Sequence, residues 1–157
     1  MSIRPAQKSD LTSIIEIYNS SKLDELRFES KLFELLPLEQ DCKRYEQLLK
    51  SDIYVYDDKK ILGYGALYGN EIRGLFVHPL ARGKGVGSSL FAHLIKLAKE
   101  PTRLYVAKTN IPAKRIYERF GFRVTREFET TYNGTTVSAN EMSRVEQMCL
   151  AGVNVLL

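Results

Sequence analysis

The stretch from Glu71 to Lys99 constrains the fold most, because it reads as strand, glycine-rich loop and helix in immediate succession. Ile72, Leu75, Phe76 and Val77 form a short apolar run, as in a strand buried on both faces. Pro79 ends it, since proline cannot donate to a sheet ladder. Glycines then alternate at 83, 85 and 87. A helix follows, with Leu90, Leu94 and Ala98 on one row and Phe91 and Ile95 on the next. Glycine lets backbone approach a ligand closely and adopt positive φ. The N–H groups that open a helix lack partners, and the helix dipole favours negative charge there. Arg82 and Lys84 add cationic side chains. The pattern therefore points to a bound phosphate or pyrophosphate, against the alternative of a turn that needs glycine only for shape.

Spacing excludes two common phosphate loops. A Walker A loop needs Gly-x-x-x-x-Gly-Lys-Ser/Thr. Here Gly83-Lys84 has His78 where the first glycine belongs and Gly85 where the hydroxyl belongs. A dinucleotide fingerprint needs Gly-x-Gly-x-x-Gly/Ala, and counting from Gly83 or Gly85 ends on Ser88 or Leu90. The order Arg82-x-x-Gly85-x-Gly87 instead resembles the Arg/Gln-x-x-Gly-x-Gly/Ala signature of the GCN5-related N-acetyltransferase (GNAT) superfamily. A second block, Asn110-x-x-Ala113-x-x-x-Tyr117-x-x-x-Gly121-Phe122, resembles that family's second signature. The opening Ile3-Arg4-Pro5-Ala6, followed by a helix, is similar to its N-terminal block. The resemblance covers residues 3–142.

The resemblance implies an acyl-CoA N-acyltransferase fold: α/β, with a mixed, mostly antiparallel sheet of six or seven strands flanked by helices. It implies acetyl-CoA as co-substrate and no metal. The loop Arg82, Gly83, Lys84, Gly85, Val86, Gly87 and Ser88 would hold the pyrophosphate. The strand end Leu75, Phe76 and Val77 would splay from its neighbour and pair with the pantetheine arm, with the Val77 N–H at the thioester carbonyl. Asn110 and Ala113 fall at cofactor-contacting positions, and Tyr117 where many members place a hydroxyl beside the sulfur as general acid. The alternative for Tyr117 is an aromatic that fills the Ala113-Ile116-Phe120 face. Glu71 stands eleven residues before Arg82, the offset of the catalytic glutamate in the histone-acetylating branch. It is the candidate base, with an exposed strand-start acid as the alternative. His78 reads as a loop cap and His93 as a solvated residue on the polar side of its helix.

Around this core the chain reads in order. Asp10 is an expected N-cap for a helix carrying Leu11, Ile14, Ile15 and Tyr18. From Ser20 to Pro37 the periodicity weakens and no element is assigned. Leu38, Cys42, Tyr45 and Leu49 suggest an amphipathic helix. Three antiparallel strands follow, turning at Asp57–Lys60 and Gly69-Asn70; Gly63 and Gly65 in the middle one imply a bulge or close approach. Arg103–Ala107 is a fifth strand, and Tyr132-Asn133-Gly134 a hairpin turn into a last strand over Thr136–Met142.

Length suggests a single domain over 1–142 with a tail, 143–157, whose apolar finish is disordered, packed on the domain or buried in a dimer. Two distant cysteines, Cys42 and Cys149, lack metal-ligand spacing and read as free thiols of a cytoplasmic protein. No apolar run of about 18 residues suggests a membrane span. Charge is bipolar: Arg82 to Arg126 holds eleven Lys/Arg against two acids, whereas Ser9 to Glu71 holds thirteen acids against eight bases. The basic half coincides with the cofactor region, and the acidic half could attract a cationic amine. The expected function is acetyl-CoA-dependent acetylation of a primary amine of a small molecule or protein. The alternative is a non-catalytic acyl-CoA sensor on the same fold. Nucleic-acid and membrane partners are not expected, a homodimer is open, and the acceptor is unspecified.

Overall fold

The computed structural model describes residues 1–144. The reading of the tail therefore lies, past Arg144, outside the described residues, as does that of Cys149. The chain runs β1 (Ser2–Pro5), α1 (Leu11–Ser21), α2 (Cys42–Leu49), β2 (Asp52–Asp58), β3 (Lys60–Tyr68), β4 (Glu71–Val77), α3 (Val86–Leu97), β5 (Thr102–Ala107), α4 (Ile111–Arg119), β6 (Arg123–Tyr132) and β7 (Thr135–Arg144). The strands form one seven-stranded sheet ordered β1-β2-β3-β4-β5-β7-β6. Only the β4–β5 pair is parallel among the described strands. A parallel pair needs a crossover, and the loop plus α3 supplies it.

Alternation along β3 explains the two layers. Tyr64 and Ala66 face α1 and α2, where they join Ile14, Ile17, Tyr18, Leu38, Leu48 and Val55. Leu67 faces the other way, into a core with Ile72, Phe91, Leu94, Leu104, Phe122 and Met142. Gly63 and Gly65 share that second face. A Cβ on Gly65 would stand 2.6 Å from Leu94 Cδ1, and one on Gly63 would stand 3.0 Å from Val86 Cγ1. Both glycines thus permit the close approach of α3 to the sheet, and β3 also bulges beside Gly63, where Tyr56 pairs with Gly63 and Asp57 with Ile61, leaving Leu62 as the extra residue. A further bulge occurs on β4 nearby: Ala66 pairs with Gly74 but Leu67 pairs with Ile72, leaving Arg73 as the extra residue.

Three local expectations are corrected. Asp10 occupies the N-cap position of α1, but its side chain does not cap that helix. Its carboxylate instead accepts from the Gln7 N–H at 2.8 Å and from both ends of the Arg4 guanidinium at 2.8 and 3.1 Å. Leu38 does not belong to α2; Asp41 interrupts with φ −93°, ψ 83° and caps the helix through Arg44 N. The helix phase restarts there, so Leu48 is buried while Cys42 and Leu49 are exposed. His93 is not simply solvated: its ring meets Tyr54 edge-on at 4.9 Å.

The segment between α1 and α2 has little regular structure beyond 3-10 turns at Lys22–Leu26 and Leu38–Gln40. It is held by long-range contacts. Leu26 packs with Tyr132 and Val137 of the β6–β7 hairpin. The Tyr132 hydroxyl accepts from Leu36 N at 2.9 Å, and Asn133 Nδ2 donates to the Glu34 carbonyl at 3.0 Å. Asn133 and Gly134 adopt φ +48° and +81°, the two positive values that a tight hairpin turn of this kind requires.

Candidate active site

The site begins where β4 and β5 part. Their parallel pairing covers only Glu71–Arg103 and Ile72–Leu104. Beyond Ile72 no described strand pairs with the far edge of β4. His78 N donates to Leu62 O at 2.9 Å, so antiparallel alternation turns the N–H and C=O groups of Val77 and Leu75 away from β3. They face the gap that β5 has left.

That gap widens into a cleft of about 440 Å³. One wall is the loop before α3. Gly83 and Gly85 hold φ +77° and +80°, and Gly85 is the N-cap of α3. Ser89 N makes an early helical bond, to Gly85 O at 3.0 Å. The N–H groups of Val86, Gly87 and Ser88 precede it and have no partner within the helix. No acid stands in the first turn of α3 to offset the dipole. The opposite wall is α4, which starts after Asn110 with Pro112 near its N-terminus and brings Ala113 and Tyr117 to the cleft. The Tyr117 ring lies 5.0 Å from the Phe91 ring, and burial pushes its hydroxyl pKa up to about 12. It stays protonated at neutral pH and can give a proton.

The cleft brings together Leu75, Phe76, Val77, Arg82, Gly83, Gly85, Val86, Gly87, Ser88, Asn110, Ala113 and Tyr117. Two expected residues do not reach it. Lys84 turns to a separate hollow beside Glu16, Lys60 and His78. Glu71 sits at the far end of β4, with its carboxylate 3.6 Å from Arg103 and 3.8 Å from Arg73. His78 caps as expected, its Nδ1 accepting from Leu80 N at 3.1 Å. Sequence reading missed Ser21, Asp24, Glu25 and Arg27, which close the cleft from the irregular segment. Asp24 forms an ion pair with Arg82 across the mouth. The excess of acids in this part of the chain was the available signal.

A second, smaller hollow of about 100 Å³ lies on the other side of β4. Tyr18, Lys22, Arg44, Tyr64, Arg73 and Gly74 line it, and Phe76 lines both hollows.

A strand-loop-helix with open N–H groups, beside a strand edge left free by a splayed partner, defines a fold class that cradles an extended anionic cofactor. The acetyltransferase (GNAT) family model matches residues 11–122. The chain belongs to this family of acetyltransferases. It is 34% identical over 77 residues to the peptidyl-lysine N-acetyltransferase YjaB of Salmonella typhimurium. That match covers 49% of this chain and spans only about half, 52%, of that relative. It is 30% identical to an uncharacterized N-acetyltransferase of Archaeoglobus fulgidus, covering 74% of this chain and 89% of the relative. The solved structure of yncA of Salmonella typhimurium, which holds its cofactor acetyl-CoA, superposes with a TM-score of 0.70 at 24% identity, over 92% of this chain and 93% of its own.

Proposed function

We propose that this chain transfers the acetyl group of acetyl-CoA to the primary amine of a small molecule or protein. One observation carries the reading: open helix N–H groups, the free β4 edge and a protonated tyrosine line a single cleft. The residues fit the cofactor's parts. A pyrophosphate suits the N–H groups of Val86, Gly87 and Ser88, with Arg82 beside them. An amide-bearing pantetheine arm suits the unpaired groups of Leu75 and Val77, as an added strand would.

When bound, acetyl-CoA supplies an activated acyl carbon: its C–S bond breaks as the acceptor nitrogen forms the C–N bond. The Val77 N–H donates to the thioester oxygen as that oxygen gains negative charge. Tyr117 donates its phenolic proton to the departing sulfur and recovers one from the newly acylated nitrogen through solvent. Asn110 and Ala113 shape the wall where the arm turns. Glu71 remains the candidate base only through intervening waters, because it lines neither hollow.

Calorimetric titration with acetyl-CoA, CoA and ATP tests the reading. Micromolar binding of both CoA species but not ATP, with thiol release when an amine is added, is the expected outcome. Folded protein that binds neither CoA species would overturn it. Binding without thiol release across a broad amine panel would favour the sensor.

A further inference from the structure

We infer that the smaller hollow selects a compact primary amine that also carries an oxyanion, of the amino-carboxylate class. This rests on the acetyl-transfer reading and names the acceptor for it. Three cations line the hollow: Lys22, Arg44 and Arg73. Among the described residues, no acidic side chain lines it. The acids that pair with these cations stand outside: Asp41 at 3.1 Å from Arg44, Glu71 at 3.8 Å from Arg73, and Glu25 beside Lys22. Although each cation is paired, its donors line the space while the paired carboxylates stand outside it, so the hollow favours a carboxylate over a second ammonium group.

A second observation is independent of charge. Tyr18 lines the same hollow, is 4% exposed, and its buried hydroxyl has no hydrogen-bond partner among the described residues. A buried hydroxyl without a partner is costly and uncommon, so an acceptor atom is missing from its surroundings. A carboxylate held by Arg44 and Arg73 would supply it. The Arg44 guanidinium is also steadied against the Tyr132 ring at 5.0 Å, and Arg73 against Tyr68 at 4.1 Å. Both forks are therefore placed before any ligand arrives.

Size and position complete the assignment. A hollow of about 100 Å³ admits a small headgroup and excludes a folded surface. Phe76 forms part of its wall and part of the cofactor cleft. An amine anchored by its carboxylate at Arg44 and Arg73 thus projects toward the β4 wall, where the thioester is proposed to lie. The acidic N-terminal half does not draw in a polycation through this hollow; its cations, not its acids, face the space.

The test presents each common L-amino acid beside its own carboxamide, which keeps the shape and removes the negative charge. Thiol release is followed with saturating acetyl-CoA, and acetyl-CoA binding is titrated separately. At least one amino acid should be acetylated with kcat/KM tenfold or more above its carboxamide. Arg73→Gln should erase that preference by raising KM for the acid while leaving the carboxamide unchanged. Tyr18→Phe should raise KM for the acid with no loss of thermal stability, since it removes only the unpartnered hydroxyl. Intact acetyl-CoA binding with carboxamides or peptides preferred, or with no amino acid acetylated, overturns the assignment and leaves the acetyl-transfer reading standing. Absent acetyl-CoA binding overturns that reading itself.

Discussion

The two sides of β4 are built on opposite plans. The large cleft is a backbone site. Its proposed binding groups are N–H and C=O groups of Leu75, Val77 and the first turn of α3, exposed by a splayed strand and two glycines at positive φ. The small hollow is a side-chain site, in which Lys22, Arg44, Arg73 and Tyr18 converge from α1, its following turn, α2 and the β4 bulge. A backbone site tolerates changes of side chain as long as the path of the chain is kept. A side-chain site can change its ligand with one substitution. A chain organised this way keeps its cofactor and is free to change its acceptor.

The contrast is broken most severely by destroying the backbone path. Gly85→Glu forces a φ of +80° on a residue with a Cβ and places a carboxylate at the open helix end. Strain alone costs roughly 1–3 kcal/mol, and the added negative charge opposes the pyrophosphate. Acetyl-CoA affinity should fall by more than about a hundredfold, read by calorimetry, with circular dichroism unchanged. Retained micromolar binding would remove the loop from the cofactor site.

Next in size is Tyr117→Phe, which leaves both walls intact and removes one proton. General-acid loss is worth roughly 10²-fold in kcat, with acetyl-CoA affinity held within about twofold. The pH profile sharpens the assignment. Burial raises the Tyr117 pKa to about 12, so its proton is present across the working range. The rate should rise with pH as the amine deprotonates, without a falling limb below about pH 11. A descending limb near pH 8 would assign the acid to another group.

The loop and α4 were legible in the sequence because their signals are local. Glycines 83, 85 and 87 act on their own turn, Leu90 and Leu94 repeat within one helix, and the second block from Asn110 to Phe122 lies within one short segment. The hollow was not legible, because Tyr18, Lys22, Arg44 and Arg73 come from four separate elements, and Lys22 and Arg44 meet only over the distant Tyr132 ring. The phase of α2 was misread for a related reason. Leu38 and Leu49 fit one helical face on paper, but Asp41 resets the helix and turns Leu48 inward. That difference is measurable. Leu48→Ala should cost about 2 kcal/mol of stability, at the low end for a buried leucine beside the surface. Leu49→Ala, at a 57% exposed position, should change stability by less than about 0.5 kcal/mol. Equal effects in denaturant titrations would restore the continuous face.

The smallest expected effect concerns the one place where the side-chain plan intrudes on the backbone site. Arg82 and Asp24 form an ion pair across the mouth of the cleft, with side chains 40% and 41% exposed. A pair this open contributes roughly 0–1 kcal/mol in water, so it does not hold the fold. If Arg82 holds the pyrophosphate as proposed, the pair competes with the cofactor, because an arginine engaged by a carboxylate is partly withdrawn from a phosphate. Asp24→Asn should therefore tighten acetyl-CoA binding by up to about fivefold at low salt, the equivalent of roughly 1 kcal/mol. The gain should shrink as salt screens the wild-type pair. Tightening of the same size for CoA places the effect at the nucleotide end that both ligands share. Weaker binding in Asp24→Asn would mean that Asp24 holds Arg82 in position for the cofactor rather than away from it.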